Sequence, residues 1–212
     1  MKKNKISKNW INKQRRDIYV RKSKIDGYRA RSVYKLIEIN EKFKIFKNGM
    51  SVIDLGASPG SWSQYISKSV KNVKLVSNDI KPIDKIDNSV QIQGDFTELD
   101  CQKKIKESFK SKVDVVISDM AVNTTGIKDI DAIQTGELAI QAMNFSKITL
   151  ANQGFFISKI FLGSSFISGL KTSFGYKSIC FNNSNLLGED EPNINFKFLE
   201  LVNMYMLLYL YL

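Results

Sequence analysis

Lys159 lies inside GFFISKIF, residues 154–161. An ammonium flanked by Phe155, Phe156, Ile157, Ile160 and Phe161 is costly to bury unless a partner or a lowered pKa compensates, so a functional lysine is expected there. A second stretch with chemical potential is SVIDLGASPGSW, residues 51–62, a short β-branched and apolar run that ends in Asp54, turns on Gly56, Pro59 and Gly60 and opens a helix. Beyond the carboxyl end of a strand, glycines let the backbone approach a ligand and helix N-terminal N–H groups point outward. The loop does not spell G-x-G-x-x-G, and Asp54 beside it would repel a pyrophosphate while attracting a cation. S-adenosylmethionine carries a sulfonium, an ammonium and no phosphate, and suits such a site better than NAD. The competing reading is a plain strand-to-helix turn whose glycines serve only backbone geometry.

Three further acids follow short apolar runs: Asp79 in KLVSND, Asp95 in VQIQGD and Asp119 in VDVVISD. Asp79 falls about twenty residues past the loop, where a doubly wound fold carries the acid that binds ribose hydroxyls. Asp95 is placed to face an adenine amino group. Each strand-end aspartate also reads as a cap for the next helix, and it is their convergence on one sheet edge that favours a binding site. The chain has no histidine, which removes Ser-His-Asp, Cys-His and most metal-assisted schemes. No metal is expected, and any base must be Lys, Asp, Glu, Tyr or Cys. Lys35, between Tyr34 and Leu36 at the margin of an apolar stripe, is a candidate, with an ordinary snorkelling lysine as the alternative.

These groups need an α/β framework to position them, and the pattern supplies one. YRARSVYKLIEINEKFKIF, residues 28–46, predicts a helix of about four turns, residues 131–150 predict another, and residues 113–119 read as a buried parallel strand. With 212 residues and 43% hydrophobic content, one α/β domain with an appendage is expected. The formal charge of +11 is unevenly placed: residues 1–48 hold sixteen of the 32 Lys and Arg against four acids, and the rest is about neutral. A basic segment joined to a neutral domain fits a polyanion partner, and Trp10, Tyr19, Tyr28 and Tyr34 within it can stack on bases or hold the segment on the domain. We divide the chain into a basic RNA-binding segment and helix, 1–48, and a domain over 49–212, with residues 1–12 as a mobile arm. Two cysteines form neither a disulfide framework nor a zinc site, so a reducing compartment is expected. The start MKKNKISKNW lacks the apolar core of a signal peptide, and no run of about 18 apolar residues occurs, so a soluble protein without membrane partners is expected.

YRARSVYKL, DLGASPGSWSQY, the acid of SNDIKPID, QGDF, SDMAVNTTG and SKIFLG, in this order and spacing, resemble the FtsJ family of RNA ribose 2'-O-methyltransferases, in particular its bacterial and organellar branch acting on a uridine of large-subunit ribosomal RNA. The resemblance spans roughly residues 8–175. It implies a Rossmann-like class I methyltransferase fold, a mostly parallel seven-stranded sheet with helices on both faces. It also implies S-adenosylmethionine held by Gly60, Trp62, Asp79, Asp95 and Asp119, and a catalytic Lys-Asp-Lys-Glu group whose first three members fall on Lys35, Asp119 and Lys159. A ribose 2'-hydroxyl must lose its proton as it attacks the methyl carbon, and Lys159 can take that proton only as a neutral amine. Burial and the Lys35 cation favour the neutral form, and Asp119 opposes it.

The chain departs from the family at Ser61, where a second glycine is usual, at Val122, where a proline is usual, and beyond about residue 180. There the expected pattern around the fourth catalytic residue is replaced by FNNSNLLGEDEPNINFKFLELVNMYMLLYLYL, in which Glu200 is the best substitute. The last twelve residues read as a replacement edge strand. The function expected is that of a cytoplasmic, monomeric rRNA methyltransferase acting on the large ribosomal subunit. The alternatives are a non-catalytic RNA-binding or ribosome-assembly factor that keeps the cofactor pocket, and a tRNA 2'-O-methyltransferase. A nicotinamide-dependent oxidoreductase is disfavoured by the loop spelling and by the lack of histidine and of Tyr-x-x-x-Lys.

Overall fold

Successive side chains of the central strands point to opposite faces of the sheet, and that alternation assigns the helices to their faces. In the computed structural model the described residues are 17–122, 125–160, 177–182, 196–201 and 204–209, the last three stretches as strands alone. The strands are β1 (Ser51–Leu55), β2 (Lys74–Asp79), β3 (Ser89–Gln93), β4 (Val113–Ser118), β5 (Leu150–Ile160), β6 (Lys177–Asn182), β7 (Phe196–Leu201) and β8 (Met204–Tyr209). They form one sheet in the order β3-β2-β1-β4-β5-β6-β8-β7, parallel throughout except for β7 against β8. The helices are α1 (Ile18–Ile25), α2 (Val33–Phe43), α3 (Ser61–Ser69), α4 (Leu99–Glu107) and α5 (Lys128–Thr149).

Ile53 and Leu55 of β1 pack with Val76, Val116 and Phe156 against Cys101 and Ile105 of α4 and Ala142, Met143 and Phe145 of α5. Val52, one residue out of phase, joins Leu75, Val115, Ile117 and Ile157 on the opposite face, under Leu36 and Ile39 of α2 and Trp62 and Ile66 of α3. A period of two along strands buried on both sides requires this division. The expected α/β sheet with helices on both faces is therefore present, and among the described residues it has eight strands where seven were expected. Residues 204–209 do not cap the outer edge. They pair on one side with β6 and on the other, antiparallel, with β7, from Leu201↔Met204 to Phe196↔Tyr209, so the apolar segment MYMLLY has both backbone edges bonded.

The helix expected over residues 28–46 is shorter, Val33–Phe43, because the preceding turn spends its polar groups on tertiary partners; Lys44 ends it at φ 50°. Helix α1 falls in a stretch read only as basic; Asp17 caps it, accepting from the Tyr19 and Val20 N–H groups at 2.8 and 3.1 Å. Tyr34 contacts both Tyr19 and Tyr28, with Lys22 over Tyr34 and Lys68 of α3 over Tyr28 at 4.7 and 5.0 Å, so these rings fasten the segment to the domain. Residues 1–12 and Trp10 lie outside the described residues.

Asp54 differs most from its reading. It is fully buried on the α2–α3 side of β1, where the Ser63 hydroxyl donates to Oδ2 at 2.6 Å. Ser63 continues to Ser77 at 2.7 Å and Ser77 to Ser89 at 2.9 Å, a row of hydroxyls crossing from α3 through β2 to β3. Oδ1 has no hydrogen-bond partner among the described residues. Burial, with smaller contributions from Asp119 and Asp79, pushes this carboxyl up to about 7, against the Ser63 hydrogen bonds. A folded-state value above the unfolded one contributes stability that is complete below about 4 and is lost as pH rises through about 7. Asp54→Asn, which cannot ionise, should therefore gain on wild type as pH rises: the difference in Tm between them should widen by at least about 4 °C from pH 4 to pH 8, read by thermal denaturation. A difference that does not change with pH would show that Asp54 does not titrate in this range.

Candidate active site

The chain leaves β1 and β4, which are neighbours, for opposite sides of the sheet, and their carboxyl ends open the crevice where open α/β sheets bind ligands. Backbone bonds fix its walls: Gly56 N–H donates to Asn78 O at 2.9 Å and Asp119 N–H to Leu55 O at 3.1 Å. Gly56 has φ 75°, and a Cβ there would stand 2.7 Å from Met120 Cγ and 2.9 Å from the Met120 backbone. Only glycine lets the loops after β1 and β4 come this close.

Of the residues named for the cofactor, Gly60, Asp79 and Asp119 stand on the loops that border this crevice. Gly60, φ 105°, is the N-cap of α3. Asp79 closes β2; its Oδ2 accepts from Ser58 N–H at 2.9 Å and its Oδ1 from Lys81 N–H at 2.8 Å, joining the first loop to the second. Both bonds reach the carboxylate from backbone, and an acceptor-only group on a sheet edge suits a ligand with paired hydroxyls. Trp62 is buried beneath the loop with Nε1 donating to Ser32 O at 2.9 Å. Asp95 stands two residues beyond β3, not at its last position, and its Oδ1 accepts from Thr97 N–H and Oγ1 at 2.8 and 2.7 Å ahead of α4. The helix cap weighed for that acid falls instead at Glu98, and Asp95 bonds within the turn before it.

Lys159, 7% exposed, points from β5 to Asp119: Nζ donates to the Asp119 backbone O and to its Oδ1, each at 2.6 Å. Lys35, half-buried on α2, interacts electrostatically with both Asp119 and Lys159. Its ammonium is pushed down to about 8, by burial first; Asp119 and Glu38 pull the value back up, while Lys159 and Arg31 add to the depression. Two lysines therefore face one carboxylate. The backbone register does not bring Glu200 to them. The row through Lys159 runs to Phe181, Tyr209 and Phe196, whereas Glu200 pairs with Tyr205, four positions along β7, and its side chain lies outside the described residues. Phe161 and the rest of SKIFLG also lie outside them.

Sequence reasoning missed what joins the basic segment to this crevice. Ser32 Oγ meets Ser61 Oγ at 3.0 Å, so the serine that replaces the family's usual glycine is buried and hydrogen-bonded. Arg29 reaches the loops after both β1 and β2. Arg31 is ion-paired with the α1 cap Asp17. The run YRARS was the only signal, and its charges gave no partner.

The profile of the FtsJ-like methyltransferases matches residues 28–190. The ribosomal RNA large subunit methyltransferase E of Pelagibacter ubique is 76% identical over 166 residues, 78% of this chain and 82% of that protein. The protein of the same name from Rickettsia bellii is 46% identical over 165 residues, 75% and 73% of the two chains. Among solved structures, one assigned as a ribosomal RNA methyltransferase from Plasmodium falciparum superposes with a TM-score of 0.62 at 34% identity, covering 68% of this chain and 84% of that one. The loop, acids and lysines described above lie almost wholly within the matched region, and the chain belongs to the FtsJ-like methyltransferase family, of the S-adenosylmethionine-dependent class.

Proposed function

We propose that this chain transfers a methyl group to a ribose 2'-hydroxyl of a uridine in large-subunit ribosomal RNA. The observation that carries the reading is the buried Lys159 ammonium fixed by Asp119 at 2.6 Å, with Lys35 facing the same carboxylate beside the glycine loop. Gly60, Trp62, Asp79, Asp95 and Asp119 would hold S-adenosylmethionine. The acceptor-only carboxylate of Asp79 and the glycine loop closed on Met120 fit that ligand. When bound, it supplies an electrophilic methyl carried on a sulfonium.

The protein's own work is to align the hydroxyl and to take its proton. Lys159 Nζ accepts that proton, and Asp119 holds the amine in place through its carboxylate and its backbone carbonyl. Lys35, pushed down to about 8 chiefly by burial, can give up its proton within the working range and so relieve the positive charge beside Lys159. This reading assigns the reaction to these three groups, and the pairing of Glu200 with Tyr205 supports leaving that acid out.

The RNA is drawn by the basic segment, residues 1–48, with 49–212 as the methyltransferase unit. That division is one of charge, since Leu36 and Ile39 of the segment pack in the common core. Exposed Arg21, Lys22 and Lys24 on α1 present the positive face among the described residues. The reading includes a cytoplasmic monomer. No helix among the described residues is long and apolar enough to cross a membrane.

Large ribosomal subunits lacking the modification, incubated with methyl-labelled S-adenosylmethionine, should gain one methyl on a uridine ribose. Lys159→Arg, whose guanidinium does not deprotonate, should lose at least about 100-fold in kcat while binding the cofactor within about threefold of wild type. Near-normal turnover by this variant would remove Lys159 as the proton acceptor. Cofactor binding without transfer by the wild type would instead identify a non-catalytic RNA-binding protein. In a separate measurement, kcat should rise with pH and level off with a midpoint near 8, and Lys35→Gln should abolish that inflection.

A further inference from the structure

We propose that Arg29 is a positioning residue that clamps the two loops of the cofactor crevice to each other and to the segment carrying Lys35. Among the described residues its guanidinium makes no ion pair, and it bonds to backbone carbonyls. Nη1 donates to Pro59 O at 3.1 Å and to Asp84 O at 2.9 Å, and Nη2 donates to Lys85 O at 2.9 Å. Pro59 belongs to the loop after β1, between Ser58, which donates to Asp79, and Gly60. Asp84 and Lys85 belong to the loop that leaves Asp79 on β2. One planar donor group thus bridges the loops after β1 and β2, on the Asp79 side of the crevice. The missing Gly60 side chain makes room for it, since a Cβ there would stand 2.6 Å from Arg29 Nη1.

The same residue is fastened at its backbone. Arg29 N–H donates to Gln64 Oε1 of α3 at 3.0 Å, and three residues on, Ser32 joins the loop through Ser61 Oγ at 3.0 Å and Trp62 Nε1 at 2.9 Å. Helix α2 begins at the next residue and carries Lys35 in its first turn. The crevice that would hold the methyl donor and a lysine that would face the acceptor are consequently fixed to one short segment, with Arg29 at its start. Three carbonyls held by one fork require the planar spread of a guanidinium; an ammonium at the end of a lysine has neither the reach nor the directions. A misplacement of about 1 Å between donor and acceptor groups costs on the order of 100-fold in rate, which is the scale on which such a clamp acts.

The inference rests on the proposed reading of the crevice as an S-adenosylmethionine site, and the test separates the two. In the full-length chain, Arg29→Lys and Arg29→Ala are compared with wild type for S-adenosylmethionine affinity by calorimetry and for methyl transfer to undermethylated large subunits. We expect both variants to bind the cofactor at least about tenfold more weakly. The KM for ribosomal subunits should stay within about twofold, and ethylguanidinium in the buffer should restore part of the affinity of Arg29→Ala but none of that of Arg29→Lys. Failure of the wild type to bind the cofactor would sink the reading of the site itself. A wild type that binds and methylates, beside an Arg29→Lys of unchanged affinity, would overturn the clamp alone. So would loss of the fold in both variants, since Arg29 would then be a purely structural residue.

Discussion

The ammonium of Lys159 is largely withdrawn from water, and much of the crevice follows from that. A cation among Phe156, Ile157 and the flanking apolar strands needs an anion close by, and Asp119, one residue past the end of β4, is the group the parallel register delivers. Ser118 aligns with Ser158 across the two strands, so the residues that follow each of them meet without any long loop to guide them. Asp119 is itself anchored by its N–H to the end of β1, which brings the glycine turn alongside. The ion pair is therefore an outcome of strand register, and the ligand crevice is built outward from it.

Charge around that point is kept unequal. Asp79 and Asp119 act on Asp54, which is wholly buried and forced toward its neutral form. Lys159 and Arg31 act likewise on Lys35, and Asp119 opposes them there. Such an arrangement favours a ligand that brings its own positive charge to the acids and an acceptor that can surrender a proton to the lysines. The N-terminal segment contributes to both sides, since it supplies Lys35 and Arg31 directly and reaches the acid-lined loops through Arg29 and Ser32.

Much of this was readable before any coordinates. Parallel strands buried on both faces appear as continuous apolar runs, which is why VDVVISD and the strand ending at Asp54 were recognisable and why the acids after them could be placed on one edge. Lys159 stood out because a charge within such a run has few structural explanations. Other features depended on partners distant in sequence. Asp54 was read as an acid beside the glycine loop that attracts a cation, and it is wholly enclosed, because Ser63 of α3 bonds to it and Ser77 pairs with it from β2. Tyr28 to Ser32 carried a helical pattern, but their polar groups bond to α3 and to two loops instead. Asp95 was read at a strand end, and Thr97 draws it into the turn before α4. The residues beyond 195 are apolar without a clean period, so nothing local fixed their register or revealed that the segment from 204 would enter the sheet inside β7.

That order of strands carries a consequence for biosynthesis. β6 takes β8 as its outer neighbour, although β7 is made first. While the chain emerges from the ribosome, the outer edge of β6 therefore stays open until residues 204–209 have been translated, and β7 can pair with neither strand in the meantime. An incomplete nascent chain would display a row of unbonded peptide groups beside an apolar core, the surface on which neighbouring polypeptides aggregate, so the completion of this sheet is tied to the latest-made of its strands.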